Sequence, residues 1–290
     1  MSTAKSPDEL PAFARFFGMQ KVPFGTDVPP EHLYRSPQLE EALSRLEFTA
    51  NNGKFAVLTG GVGCGKSTAL RCLKANLSEE RFRVLYVSES NLTPRWLYTI
   101  PLEQLGITPH FYRNDAKRQF HEAMLTERRM HGRRVLMVID EAHLIPMKHG
   151  YETLEEIRFL LNCDFDSGNP LSLILCGQCE LWELLGRDSA KAITQRIDIT
   201  CRMTPYDEGQ VLSYVAAHLR YAGVSDTLFS SEALGIVSAR SGGVPRIINK
   251  ICTHALLYAA GSNASIITGD IVNKVIETEL PQSMLGQQGA

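Results

Sequence analysis

The sequence lacks the features that mark membrane and secreted proteins. No stretch of its 290 residues approaches the ~18 consecutive apolar residues of a membrane-spanning helix. The amino terminus, MSTAKSPDEL, has no basic start followed by an apolar run, so we expect no signal peptide. Hydrophobic content is 44% and charged content 21%, which is ordinary for a globular protein. These observations predict a soluble, cytoplasmic protein without membrane attachment.

Cysteine is present without the pairing that disulfide frameworks or zinc sites need. There are seven cysteines, an odd count, and the one C-x-x-C spacing, Cys176 to Cys179, has no second pair to complete a four-cysteine site. Cys72, Cys163, Cys176 and Cys252 lie in apolar surroundings, so we interpret them as reduced and buried. This interpretation also favours the cytoplasm.

An excess of charge of one sign is missing too. The net charge is −2 and the isoelectric point is about 6.5, which does not mark a single copy of the chain as a nucleic-acid binder. Any contact with DNA would have to come from a local basic surface, repeated around an oligomer. We find no internal repeat and no low-complexity block.

What the sequence does contain is an alternation of apolar runs and helical patterns. The strand candidates are KFAVLT, RVLYVS, RVLMVID, LSLILCG and IDITCRM. Near-continuous apolar runs are typical of buried parallel strands. Strand–helix alternation over residues 51–204 therefore predicts an α/β fold with a parallel sheet and flanking helices. Residues 1–50 are expected to be a leader plus an amphipathic helix, 205–280 a small all-helical lid, and 281–290 a loose tail.

A phosphate-binding loop stands between the first strand candidate and the following helix. Residues 60–67, GGVGCGKS, fit the pattern G-x-x-x-x-G-K-[ST] in full. Glycines allow backbone N–H groups to face an anion, and the helix N-terminus adds a favourable dipole. Lys66 is expected to pair with the β- and γ-phosphates and Ser67 to ligate Mg²⁺. The whole predicted loop comprises Gly60, Gly61, Val62, Gly63, Cys64, Gly65, Lys66, Ser67 and Thr68.

Two further strand candidates end in polar residues that suit hydrolysis of a phosphoanhydride. The run RRVLMVIDEAHLI ends its apolar part at Asp140 and Glu141. An acid at a strand tip beside a phosphate loop can hold the Mg²⁺ shell, which we assign to Asp140. Glu141 is then the general base that polarises the attacking water. Gln178, after LSLILCG, is placed to detect the γ-phosphate.

Arginines complete the predicted site. Arg196 precedes the last strand candidate, where it could reach the nucleotide of a neighbouring subunit and neutralise transition-state charge. Arg187 and Arg202 are rivals for that role. Arg246 lies in the first turn of a helix, where a cation opposes the helix dipole, so we expect a phosphate partner for it.

Five motifs in this order resemble those of the AAA+ ATPases of the ExeA/GspA and TnsC/TniB type. They are GGVGCGKST, VLMVIDEAHLI, LILCGQCEL, QRI and SGGVPRIINKICTHALLYA, and the leader FFGMQKVPFGTDVPPEHLYRSPQLEEALSRL is similar as well. The resemblance covers roughly residues 13 to 280. Cys179 departs from the proline expected after the glutamine.

The resemblance implies a P-loop AAA+ fold and roles for individual residues. Lys66 and Ser67 correspond to Walker A, Asp140 and Glu141 to Walker B, and Gln178 to the first sensor. Arg196 would be the trans arginine and Arg246 the second sensor. Phe24, Leu33 and Tyr34 would lie near the adenine. The cofactors implied are ATP and Mg²⁺; the absence of an N/T-K-x-D guanine-reading motif also favours ATP.

Within this resemblance we consider three functions. The first is an ATP-dependent regulator of DNA transposition that forms rings or helical filaments on duplex DNA and passes a target site to a transposase and targeting proteins. The second is an ExeA/GspA-like secretion-assembly ATPase, and the third is a nucleotide-dependent protein switch without DNA binding. The expected absence of a membrane anchor favours the first. Its DNA contacts are predicted at Arg95, Arg113, Lys117 and Arg118.

Overall fold

The structure, a computed structural model, describes residues 10–145, 150–161 and 171–281. The chain divides into two compact units. The core unit comprises residues 37–62 and 66–203, and the helical unit comprises the described residues before 37, the loop residues 63–65 and those from 204 onward. Among the described residues, no helix is both long enough and apolar enough to cross a membrane.

A parallel sheet of five strands forms the centre of the core unit, in the order β2-β3-β4-β1-β5. The strands are β1 (Phe55–Gly60), β2 (Phe82–Ser88), β3 (Arg134–Asp140), β4 (Leu171–Gly177) and β5 (Ile199–Met203). All five strand candidates from the sequence are thus confirmed. Strands β1 and β4 are buried along their whole length, which explains their continuous apolar sequences. Because β1 lies beside β4 and β4 beside β3, the three strand ends that carry the predicted chemistry are neighbours.

Helices connect and cover these strands. Numbered along the chain, they are α1 (Ala12–Phe16), α2 (Pro37–Asn52), α3 (Lys66–Asn76), α4 (Trp96–Gln104), α5 (Arg113–His131), α6 (Gly150–Leu160), α7 (Glu180–Leu185), α8 (Lys191–Thr194), α9 (Glu208–Tyr221), α10 (Ser231–Ser241), α11 (Pro245–Gly261) and α12 (Gly269–Thr278). Helices α2 to α8 belong to the core unit. The long helix α5 ends at Gly132, whose φ of 65° lies in the left-handed region that glycine tolerates.

The helical unit contains α1 and α9 to α12, so the helical region predicted over residues 205–280 is present. Their ends follow local chemistry. Asp207 caps α9 in a capping box, in which the Gln210 N–H donates to the Asp207 carboxylate and the Asp207 N–H donates to the Gln210 side chain. Ser230 caps α10, and Pro245 begins α11, where a missing N–H costs nothing.

The leader and the amphipathic helix predicted within residues 1–50 group with different units. Phe13, Met19 and Phe24 are buried in the apolar core of the helical unit. Helix α2 instead packs on β5 and β4 of the core unit, because its apolar face (Leu39, Leu43, Leu46) matches that sheet. The division therefore falls between residues 36 and 37. Nearly all of the predicted tail lies outside the described residues, as does Cys163.

Candidate phosphate-binding and hydrolysis site

The phosphate loop begins where β1 ends at Gly60. A Cβ on Gly60 would lie 2.5 Å from the carbonyl oxygen of Met203 on the neighbouring β5, so only glycine fits there. Lys66, the first residue of α3, is 8% exposed. Its Nζ donates to the carbonyl oxygens of Gly60 (2.8 Å) and Gly61 (3.1 Å). Neutral carbonyls do not neutralise a buried ammonium, so this arrangement fits an anion bound at the loop.

The middle of the loop, Gly63 to Gly65, groups with the helical unit. Gly63 has φ 79°, and a Cβ there would lie 2.7 Å from the Cβ of Arg246. The backbone N–H of Arg246 donates to the Gly63 carbonyl oxygen at 3.4 Å. Arg246 is itself exposed, so its guanidinium is open to a phosphate. Its predicted role as the second sensor stays a prediction.

Asp140 ends β3 and is 6% exposed. Its Oδ1 accepts from the N–H of Glu141 at 2.8 Å, and its Oδ2 accepts from the hydroxyl of Tyr86 on β2. Burial and the neighbouring carboxylate raise the pKa of Tyr86, so the phenol keeps its proton. Burial and Asp140 also raise the pKa of the Cys176 thiol. These neutral donors hold the carboxylate in one orientation.

Magnesium was predicted at Ser67 and Asp140. Within the described residues, no group of three or more His, Cys, Asp or Glu could hold a metal ion by itself. Mg²⁺ is usually held by one or two protein oxygens together with phosphates and water. One oriented carboxylate at Asp140 and a serine in the first turn of α3 fit that donor set, and the ion would supply charge neutralisation at the phosphates.

Glu141 has an unusual backbone. Its φ of 51° and ψ of 32° are left-handed, a conformation that costs a residue with a side chain about 1–3 kcal/mol. Ala142 to Leu144 follow as a 3₁₀ turn, and Ala142 is buried. The turn holds the Glu141 side chain at the carboxyl edge of the sheet, where it is half exposed. This is a suitable position for a base that must reach water.

Gln178 follows β4, and a histidine that the sequence analysis did not single out lies beside it. The Gln178 side-chain amide is 3.0 Å from His143 Nε2, and the Gln178 backbone N–H donates to His143 Nδ1 at 3.4 Å. Tyr86 was missed in the same way. The spacing D-E-x-H marks His143, and Tyr86 shares a face of β2 with Ser88, which lies opposite Asp140.

The three candidate trans arginines lie in the core unit. Arg196 is half buried in the turn before β5. Two residues later, the Asp198 N–H donates to the carbonyl oxygen of Phe55, at the start of β1. That is the edge of the sheet opposite Gly60, and the role of Arg196 as the trans arginine stays a prediction. Exposed Arg202 instead lies opposite Thr59 on β1, near the strand end. Arg187 is exposed after α7.

The residues predicted near the adenine lie in the helical unit. Phe24 is 6% exposed and stacks on His218, with ring centroids 5.5 Å apart. Tyr34 is half buried and meets Tyr206 and Tyr214 edge-on, and Leu33 is half buried. Phe24 therefore has a packing role, whereas Leu33 and Tyr34 keep exposed surface for a base. Contact with adenine stays a prediction for all three.

The four basic residues predicted to contact DNA have partners within the core unit. The pairs are Arg95 Nε with the Phe111 carbonyl (2.9 Å), Arg113 with Glu152 (3.8 Å), Lys117 with Glu156 (2.6 Å) and Arg118 with Asp115 (3.0 Å). Lys117 also lies 4.7 Å from the centroid of the Phe159 ring. Lys117 is the least available of the four, because Glu156 is largely buried and Lys117 lowers the pKa of that carboxyl against the effect of burial.

The glycine loop lies between a strand and a helix, the acid pair follows the second strand over, and a polar residue follows the strand between them. This is the arrangement of a P-loop AAA fold. An AAA domain model matches residues 49–185. The chain thus has a P-loop AAA fold.

It is similar to General secretion pathway protein A from Aeromonas hydrophila, with 33% identity over 267 residues. That match covers 89% of this chain and 47% of the relative, so the chain spans about half of the relative's length. The likeness supports an AAA+ ATPase of the ExeA/GspA type.

Solved structures show the same fold. Drosophila ORC bound to DNA matches with a TM-score of 0.69 and 19% identity, over 96% of this chain and 69% of that chain. Cdc6p from Pyrobaculum aerophilum matches with a TM-score of 0.68 and 17% identity, over 89% and 70%. The RuvB Holliday junction branch migration motor of Thermotoga maritima gives 0.56 and 17%, over 92% and 76%.

Proposed function

We propose that this AAA+ ATPase is a cytoplasmic regulator of DNA transposition that assembles on duplex DNA when ATP is bound. The observation that carries the proposal is the position of Arg196, at the sheet edge opposite the chain's own phosphate loop. An arginine there completes a site only in a second copy of the chain. ATP hydrolysis would then control how copies hold one another.

In this proposal each polar residue at the carboxyl edge of the sheet has one task. Lys66 binds the β- and γ-phosphates, Ser67 and Asp140 hold Mg²⁺, Glu141 takes the proton of the attacking water, and Gln178 detects the γ-phosphate. Arg196 of a neighbour neutralises developing charge. Loss of the γ-phosphate weakens the contact between copies.

Duplex DNA is proposed as the surface on which copies assemble. A chain with a net charge of −2 offers few phosphate contacts, but a helical array repeats them and their weak contributions add. The fold is shared with ORC, which was solved bound to DNA, and with RuvB, a branch migration motor. Arg95, Arg113 and Arg118 are the proposed contacts, with Lys117 contributing less. A transposase and targeting proteins would bind the assembled array.

The test is assembly of the full chain with duplex DNA and a non-hydrolysable ATP analogue, followed by electron microscopy and light scattering. Rings or filaments that need both components and dissolve with rising salt are expected. Arg196→Ala should prevent assembly while leaving nucleotide binding intact, whereas Arg240→Ala, a half-buried arginine of the helical unit, serves as the control. A chain that stays monomeric with both ligands would contradict the proposal.

A second candidate is a secretion-assembly ATPase, favoured by the 33% identity to General secretion pathway protein A. It predicts nucleotide-dependent self-association without any effect of DNA. The same experiment distinguishes the two candidates, because DNA-independent assembly at low salt supports the second. Nucleotide-dependent change without self-association would instead indicate a protein switch.

A further inference from the structure

His143 is packed closely against Gly177 at the end of β4. A Cβ on Gly177 would lie 3.1 Å from the backbone N of His143 and 3.4 Å from its Nδ1. The His143 side chain is only 9% exposed. The imidazole is therefore held by its surroundings, at the point where β3 and β4 end.

Both nitrogens of this ring face groups with proposed roles in hydrolysis. Nε2 lies 3.0 Å from the side-chain amide of Gln178, and Nδ1 lies 3.5 Å from Oε2 of Glu141. The left-handed backbone of Glu141 turns its carboxylate back toward the histidine two residues later. Glu141 follows β3 and Gln178 follows β4, and within this cluster the ring lies close to both.

A neutral imidazole has one donor and one acceptor nitrogen. With the proton on Nδ1, the ring donates toward Glu141 and accepts from the Gln178 amide, forming one chain of hydrogen bonds. With the proton on Nε2 and the Gln178 amide turned so that its oxygen faces the ring, the ring donates to Gln178 and Nδ1 accepts the Gln178 backbone N–H, so Glu141 loses its donor. The orientation of Glu141 thus depends on what Gln178 does.

We propose that His143 is a positioning residue that couples the γ-phosphate detector Gln178 to the catalytic base Glu141. Without nucleotide, the Gln178 backbone N–H at Nδ1 favours the proton on Nε2, which leaves Glu141 without its donor. When Gln178 turns to a γ-phosphate, it no longer holds the ring in that form, so Nδ1 can carry the proton and donate toward Glu141. The base is then aligned only when ATP is present. This inference rests on the roles that the proposed function gives to Glu141 and Gln178.

A double-mutant cycle in the full chain tests the coupling. His143→Ala should lower kcat about 10- to 100-fold, the loss that a displaced catalytic group causes, while KM for ATP changes by less than about threefold. Gln178→Ala should lower kcat by a similar factor, again with little change in KM for ATP. If the pair acts as a unit, the double variant loses no more than the worse single variant; losses that multiply would overturn the proposal.

Nucleotide preference gives a readout that does not need turnover. Each single variant should reduce the ratio of affinities for a non-hydrolysable ATP analogue and ADP by the same factor, measured by fluorescence anisotropy. An unchanged ratio in His143→Ala would overturn the coupling. His131→Ala, at the exposed end of α5, is the matched control and should change neither readout.

Conservative variants keep the test decisive if alanine prevents folding. His143→Gln places an amide near the Nε2 position and His143→Asn places one near Nδ1. We expect His143→Gln to keep nucleotide preference and His143→Asn to keep more of kcat; identical behaviour of the two would overturn the proposal. Glu141→Gln distinguishes failure of this inference from failure of the proposed function. Normal turnover in Glu141→Gln would contradict the assignment of Glu141 as the base. Normal turnover in His143→Ala alone would contradict only the coupling.

Discussion

The core unit and the helical unit bury polar side chains for different purposes. In the core unit, buried Lys66 and Asp140 stand at the ends of neighbouring elements, and each keeps a charged group that neutral donors or acceptors surround. In the helical unit, buried His218 lies among aromatic rings, and its Nδ1 donates to the carbonyl of Pro23 in the leader. The first arrangement holds charge ready for a ligand, and the second fixes the chain's own backbone. Variants in each unit should therefore fail in different ways.

Glu141→Gln should give the largest effect. The amide keeps the shape of the side chain but cannot accept the proton of water, so kcat should fall about 10²- to 10⁴-fold with ATP affinity retained. Steady-state phosphate release and a nucleotide titration measure the two quantities. The matched control is Glu80→Gln, an exposed residue before β2. Turnover at the parental rate in Glu141→Gln would remove the base assignment.

Lys66→Ala should come next. Loss of charge-assisted hydrogen bonds worth about 3 kcal/mol in total should raise the Kd for ATP roughly 100-fold. Because the substitution also removes a buried ammonium, the nucleotide-free protein should be no less stable in thermal melting. Lys74→Ala, in the last turn of the same helix, is the control. If Lys66→Ala strongly destabilised the nucleotide-free protein, Lys66 would have a structural role like that of His218, and the contrast between the two units would be contradicted.

The sequence predicted the strands and helices of both units, but it did not predict which parts of residues 1–50 group with which unit. Continuous apolar strands and helix caps are local signals, so β1 to β5 and α9 to α12 were found. The division at residue 36 depends on which apolar face α2 and the leader each match, and that is a long-range property. Tyr86 and His143 were missed for the same reason, since their partners on other strands come together only when the sheet forms.

Tyr86→Phe should have a moderate effect, limited to the Mg²⁺ requirement of turnover. The hydroxyl orients Asp140 without touching a nucleotide phosphate, so its loss should raise the Mg²⁺ concentration for half-maximal turnover about tenfold, as for other groups that orient a metal's ligand. A Mg²⁺ titration of turnover and of fluorescent-nucleotide binding measures it, with exposed Tyr112→Phe as the control. An unchanged Mg²⁺ requirement would mean that Asp140 is oriented by Glu141 N–H alone.

His218→Gln should have the smallest effect, and it tests the helical unit directly. Burial lowers the pKa of His218 below its usual value of 6.5, so the unfolded chain binds this proton more readily than the folded one. Its contribution to stability is therefore complete above about pH 6.5 and is lost as the pH falls, by at most about 1.4 kcal/mol per pH unit.

Glutamine does not titrate, so in His218→Gln the amide exchange of α9 should become less sensitive to acid between pH 7.5 and 5.5, after correction for intrinsic exchange. His32→Gln, an exposed histidine of the same unit, should leave that sensitivity unchanged. Exchange in β3 should show no effect of either variant; if His218→Gln altered β3 as much as α9, the two units would unfold together and the contrast between them would not hold.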